Sequence, residues 1–227
     1  MTVTDAIHFA GRGLCKVGRG LRNVHTMRGV WFDIGAYKCE YSGPAAFANP
    51  SLDVYAFEPN LKLAAGLFKL YPNVHVVPMA VAERDGCAEF HLTAYQATSS
   101  LLPIHEDAVE HWIGRETMDL TTVAKMVVPT IRLDTFMGLA GIEKVDFMKI
   151  DAQGTDLAVV KSCGERLRSF KRIYLEVYVT AHPLYREACR KDEVLEYMAA
   201  HNFELVGVDV QSAGQEENLT FANREAS

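Results

Sequence analysis

No two of the five cysteines (Cys15, Cys39, Cys87, Cys163, Cys189) stand in a CxxC spacing. The chain therefore has neither the paired thiols of a zinc or redox site nor the density of a small disulfide scaffold, and its cysteines read as reduced thiols. No run approaches the roughly 18 to 20 apolar residues of a membrane-crossing helix, and the N-terminus lacks the apolar core of a secretion signal. A cytoplasmic protein without a membrane partner is expected. Positive charge is also short: 23 Lys and Arg against 29 Asp and Glu leave a net charge of −6, which argues against nucleic acid as a partner, because phosphate attraction needs a cationic surface. What basic charge exists is uneven. Arg12, Lys16, Arg19, Arg22 and Arg28 face only Asp5 in the first thirty residues, so 1–29 reads as a basic arm, either solvated on an acidic body or gripping an anionic substrate. The dinucleotide fingerprint GxGxxG is missing too. Its nearest approach is VWFDIGAYKCEYS, 30–42, where a short apolar run ends in Asp33 and Gly35 without the second glycine.

What is present is a core's worth of apolar residues, 49% of 227, enough for one large domain over 30–227. Short apolar runs at 30–34, 54–57, 74–77, 145–150 and 173–177 mostly lack polar alternation, as strands buried on both faces do, and helical patterns separate them. That rhythm predicts an α/β fold with a mainly parallel sheet and helices on both faces. Asn60 is placed to cap a helix carrying Leu63, Leu67 and Leu70; Leu157 to Phe170 and Val194 to Met198 mark two more. Near the C-terminus, Phe203 to Val208, a polar turn at 212–218 and Leu219 to Ala222 predict a hairpin. The 93–126 stretch breaks the alternation and reads as an insertion forming a lid or substrate pocket, flanked by extra strands near 87–92 and 127–133. Its His105, Glu106, Glu110 and His111 have the wrong spacing for a helical zinc pair, and no metal site is expected there.

In open α/β sheets, ligands bind at the carboxyl ends of the strands. Asp33, Gly35 and Ala36 end the first strand, and Glu58 ends the second in YAFEPN, the position from which a carboxylate accepts hydrogen bonds from ribose hydroxyls. Asp151 ends the fourth strand and suits a general base, a divalent-ion ligand or a loop anchor. Glu176 ends the fifth and emerges on the same edge, while His182 follows in YVTAHPLY as a candidate base or a satisfied loop histidine.

In order and approximate spacing, VWFDIGAYKCEYS, VYAFEP, NVHVVPMAVAERDG, TSSLL, VPTIRLDTF, VDFMKIDAQGTDLAVVKS and IYLEVY resemble FkbM-type S-adenosylmethionine-dependent methyltransferases over about 30–224. The resemblance implies a Rossmann-like class I methyltransferase with a mainly parallel seven-stranded sheet and an antiparallel C-terminal strand. It implies S-adenosyl-L-methionine as cofactor, held by Asp33, Gly35, Ala36, Tyr37, Tyr41 and Ser42 at the methionine end, Glu58 and Pro59 at the ribose, Ala80 and Val81 at the adenine, and Ser99 and Ser100 on the far side. Asp151, Glu176 and His182 become the catalytic candidates, and a small-molecule acceptor, such as a secondary metabolite or sugar-bearing intermediate methylated on a hydroxyl, the expected partner. The family's Gly-Ala-Asn-x-Gly loop is here Gly35-Ala36-Tyr37-Lys38-Cys39, so Cys39 replaces a glycine and Tyr37 a small amide. Tyr37 could offer its ring to the sulfonium, and Pro44 places the next helix start near Ser42. N-methylation, an NAD-dependent oxidoreductase using Glu58 for its own ribose, and an inactive binding module stay open beside this reading. Oligomeric state has no readable code.

Overall fold

The computed structural model describes residues 29–225; apart from Gly29, the expected basic arm lies outside them. The strands in chain order are β1 (Gly29–Ile34), β2 (Leu52–Phe57), β3 (Val74–Val77), β4 (Ala80–Val81), β5 (Gly86–Thr93), β6 (Thr122–Ile131), β7 (Phe147–Ile150), β8 (Arg172–Tyr178), β9 (Phe203–Gln211) and β10 (Glu216–Asn223). The helices are α1 (Ser42–Ala48), α2 (Leu61–Leu67), α3 (Glu106–His111), α4 (Leu133–Ala140), α5 (Asp156–Lys161) and α6 (Lys191–Ala200).

Seven strands form one sheet in the order β3-β2-β1-β7-β8-β10-β9. The first five pair in parallel, and β10 runs antiparallel to both β8 and β9. The expected architecture is thus present. Strand β1 explains why its sequence does not alternate, since both of its faces are buried. On one face Phe32 meets Tyr55, Phe57, Phe136 and Phe170 edge-on at 5.7–5.8 Å, at the centre of a cluster with Met137 of α4, Leu157 and Val160 of α5 and Met198 of α6. Each such ring pair adds about 0.5–1.5 kcal/mol beyond the area it buries. On the other face Trp31 packs against Phe147 at 4.8 Å, above Ala45 and Ala46 of α1 and Leu67 of α2.

Asn60 caps α2 as expected, accepting from the Lys62 amide at 3.1 Å, and α1 starts at Ser42. Three expectations are refined. The single helix foreseen over Leu157 to Phe170 is α5 followed by a 3₁₀ turn, Gly164–Ser169: the Ser162 hydroxyl bonds back to the Val159 carbonyl, and Gly164 adopts a left-handed φ of +50°. The extra strands form a second sheet, β4-β6-β5, in which β6 reaches back to Thr122 and so into the stretch read as irregular. The polar turn of the hairpin is shorter than expected, because Glu216, Glu217 and Asn218 lie in β10, paired with Tyr178, Val177 and Glu176. No helix among the described residues is long and apolar enough to cross a membrane.

Candidate active site

The carboxyl ends of β1, β2, β7 and β8 open onto a cavity of about 300 Å³, at the lower end of the range for small-molecule sites. Gly35, Ala36, Tyr37, Tyr41, Glu58, Pro59, Ala80, Val81, Ser99, Ser100, Asp151 and Glu176, all singled out in the sequence, line it. At one end Phe57, Met79, Val81 and Phe90 make an apolar wall; at the other stand Lys149, Asp151, Tyr174, Glu176 and Asn218.

The loop after β1 is held at several points. The Gly35 and Ala36 amides both donate to the Phe57 carbonyl, at 3.1 and 3.0 Å, and the Tyr37 amide donates to Glu58 Oε2 at 2.8 Å. Glu58 Oε1 accepts from the Asn60 amide at 2.8 Å. Burial outweighs these two donors and raises the Glu58 carboxyl from 4.5 to about 7. Residues 37 and 39 adopt the left-handed backbone natural to the glycine and small amide they replace, with φ of 49° and 54°. Such conformations cost on the order of 1–3 kcal/mol each and persist where the surroundings over-determine them. The Cys39 side chain packs with Trp31, Ala36 and Ala45 instead of lining the cavity, and burial pushes its thiol up to about 12, so it is an inert filler. The Tyr37 ring lines the cavity with the Lys38 ammonium 4.7 Å from its centroid.

Asp33 and Ser42 lie beneath the cavity. The Ser42 hydroxyl donates to Asp33 Oδ2 at 2.5 Å, and both side chains are buried. Lys149, in β7, ties this layer to the reacting end. Its ammonium donates to the Gly35 carbonyl at 2.9 Å and lies 3.3 Å from Asp33 and 3.5 Å from Asp151. Asp151 also accepts from the Gln153 amide at 2.5 Å, and the Gln153 carbonyl oxygen takes the Tyr185 hydroxyl at 2.7 Å. The Ser100 hydroxyl donates to the Gln153 main-chain carbonyl at 2.7 Å, while Ser99 Oγ accepts the Thr93 amide at 3.1 Å; the pair shapes the wall it lines. Burial raises Asp156 to about 7 and holds Glu176 well above the carboxylate range, with neighbouring carboxylates acting in the same direction.

The structure does not bring His182 to the cavity. The residue is exposed, and its ring stacks on His111 at 4.2 Å, an arrangement that fits the loop histidine of the two readings left open for it. Among the described residues no three His, Cys, Asp or Glu side chains are grouped to hold a metal ion. Sequence reasoning missed Met79, Tyr95, Gln153, Tyr174 and Asn218. Only Tyr174 left a signal, since RIYLEVY alternates: Ile173, Leu175 and Val177 enter the core while Tyr174 and Glu176 line the site.

A family model described as "Methyltransferase FkbM domain" matches residues 33–205, most of the chain. No curated protein sequence matches this one. Among solved structures, Aeropyrum pernix fibrillarin in complex with natively bound S-adenosyl-L-methionine is similar with a TM-score of 0.50 at 11% identity, over 87% of this chain and 68% of that one. Magnesium protoporphyrin IX methyltransferase (ChlM) from Synechocystis PCC 6803 with bound SAH is similar with a TM-score of 0.50 at 10% identity, over 95% and 82%. At such identities the likeness is one of fold.

Proposed function

The chain belongs to the FkbM methyltransferase domain family and is an S-adenosylmethionine-dependent methyltransferase; from that premise we propose that it methylates a hydroxyl of a small molecule, with Asp151 as the base. One observation carries this reading: a single cavity joins buried Glu58 to Asp151 and Glu176. The residues present suit the cofactor. Glu58 is a buried acceptor for ribose hydroxyls, the Phe57, Met79, Val81 and Phe90 wall suits adenine, and the loop of Gly35 to Tyr41 surrounds the methionine end. Bound there, S-adenosylmethionine supplies an electrophilic methyl group on a sulfonium.

The chain's own task is positioning and proton removal. Methyl transfer is an in-line displacement that needs the acceptor oxygen near the methyl carbon, water excluded, and the hydroxyl proton accepted. Asp151, held by Lys149 and Gln153 with its side chain 42% exposed, faces that role. In this reading 30–227 is the methyltransferase domain, and the 93–126 segment, whose Tyr95 and Ser99 to Leu101 line the cavity, is its lid. Lys149 is the only Lys or Arg among the described lining residues, and it is already engaged. That favours a small molecule over a nucleic acid strand. An amine as the attacking atom is the second reading, and the Asp151 variant discussed below separates the two.

Proton linkage at Glu58 tests the site. Ribose hydroxyls donate to the ionised carboxylate, so binding favours the form that loses its proton near pH 7. Affinity for S-adenosylhomocysteine (SAH), read by calorimetry, is therefore expected to be constant at high pH and to fall below about pH 7, approaching about tenfold per pH unit. Glu58→Gln flattens that profile and weakens binding at pH 8 by roughly 10- to 100-fold, the worth of hydrogen bonds to a charged group. A wild-type profile that stays flat down to pH 5.5 would remove Glu58 from the ribose site.

A further inference from the structure

Gln153 lies between Asp151 and the buried interior. Its amide nitrogen donates to Asp151 Oδ1 at 2.5 Å, and its amide oxygen accepts from the Tyr185 hydroxyl at 2.7 Å. Tyr185 is fully buried, and the same hydroxyl also stands 2.7 Å from the Thr98 carbonyl of the 93–126 segment. One hydroxyl proton thus has two carbonyl acceptors at equal distance and can turn to either. The backbone builds this arrangement. Residues 153 and 154 turn the chain after β7 with successive left-handed φ values of 54° and 94°, and a Cβ at Gly154 would stand 3.2 Å from the Tyr185 Cβ. A left-handed glutamine is costly and persists only where its surroundings hold it. The Ser100 hydroxyl helps to do so, donating to the Gln153 main-chain carbonyl at 2.7 Å.

Resting on the reading of Asp151 as the base, we propose that Gln153 is the positioning residue for that base and serves its charged and neutral forms in turn by reversing its amide. An ionised carboxylate only accepts, so before transfer the amide nitrogen faces Asp151 and the amide oxygen takes the Tyr185 proton. Once Asp151 holds the acceptor's proton, its new O–H donates to the amide oxygen. The amide nitrogen then donates to Tyr185 Oη, and the Tyr185 hydroxyl turns its proton to the Thr98 carbonyl. No proton leaves its atom in this rearrangement, and every donor keeps an acceptor. Glutamine suits the position because it carries a donor at one edge and an acceptor at the other; ionised glutamate and methionine, of similar length, lack the donor.

Carbon-13 NMR of the full chain, labelled at aspartate Cγ and tyrosine Cζ, reads both ends of this row of hydrogen bonds without an acceptor. Asp151→Asn and Tyr185→Phe identify the two signals, and the remaining tyrosine signals report whether each variant is folded. In the wild type the Tyr185 signal is expected to move at the midpoint of Asp151. In Gln153→Met it should no longer follow, whereas a direct effect of charge would persist. The Asp151 midpoint should rise by about one pH unit in that variant, because a bond donated to a charged carboxylate is roughly twice as strong as a neutral one. Gln153→Glu should raise the second ionisation of the resulting carboxyl pair further, since adjacent carboxylates resist sharing a site. Lys149 of β7, Asp156 of α5, Tyr174 and Glu176 of β8 and Glu216 of β10 also interact with Asp151, as does Tyr185. They are the same in both Gln153 variants, so the differences report residue 153. A wild-type Tyr185 signal that ignores Asp151, one that still follows it in Gln153→Met, or a Gln153→Met midpoint within about 0.3 unit of wild type overturns the proposal. Calorimetry with SAH separates the two readings: if SAH binds and the Tyr185 signal is flat, only the role of Gln153 is lost, and if SAH does not bind the wild type, that role falls with the whole site.

Discussion

Gly35→Ala is expected to reduce SAH affinity by about 100-fold or more and to destabilise the fold by about 2–4 kcal/mol. A Cβ at residue 35 would stand 2.0 Å from the Asp151 carbonyl oxygen and 2.9 Å from its carbon, at a φ of +69° that side chains rarely adopt. Neither obstacle is a flexible side-chain tip. The Asp151 carbonyl belongs to the end of β7, whose Asp151 amide bonds the Ile34 carbonyl at 3.0 Å, so the loop must move instead of the sheet. Moving it breaks the Gly35 and Ala36 bonds to Phe57 and withdraws the Gly35 carbonyl from Lys149. Thermal denaturation and calorimetric titration with SAH read both effects. Gly66→Ala is the control, because that position in α2 has nothing within 4 Å of an added Cβ and should gain about 0.5–1 kcal/mol. SAH binding within about threefold of wild type in Gly35→Ala would show that this loop does not hold the cofactor.

Asp151→Asn should lower kcat by about 10²- to 10⁴-fold while SAH affinity changes little. The amide keeps the shape of the carboxylate and an oxygen to accept from Gln153, so geometry is preserved and only proton acceptance is removed. Single-turnover rates with saturating cofactor and acceptor separate this from a binding defect, which would raise KM and leave kcat in place. A rate within about threefold of wild type excludes Asp151 as the base; a loss below about tenfold points to an amine as the attacking atom, since an amine can enter already neutral.

The cofactor end was legible in the sequence because its parts are short contiguous pieces. A strand that ends in Asp33-Ile-Gly35 and another that ends in Glu58-Pro59 carry their site residues at their own C-termini, and a parallel sheet brings those ends together without further information. The reacting end was less legible. Asn218 and Glu216 looked like turn residues because they are polar, yet both are strand residues on one face of β10, Asn218 lining the cavity and Glu216 buried, and nothing local distinguishes the two causes. Lys149 carries no local sign of its place, and only the packing of β7 against β1 shows it bridging Asp33, Gly35 and Asp151. His182, attractive because histidine titrates near neutrality, is exposed and stacked on His111, a contact between distant segments that spacing cannot predict.

Cys39 and Tyr37 mark the division most clearly. By itself the sequence determined that the loop departs from the family's glycines, along with the alternation of strands and helices, the C-terminal hairpin and the carboxylates at four strand ends, because these follow from periodicity and adjacency. Only the tertiary structure decided that the cysteine turns into the core while its backbone keeps a glycine's conformation, and that Glu58, Asp151 and Glu176 share one cavity with the already committed Lys149. The reason is physical: backbone conformation, burial and charge balance at such a site are set by residues more than a hundred positions apart, which meet only when the sheet closes.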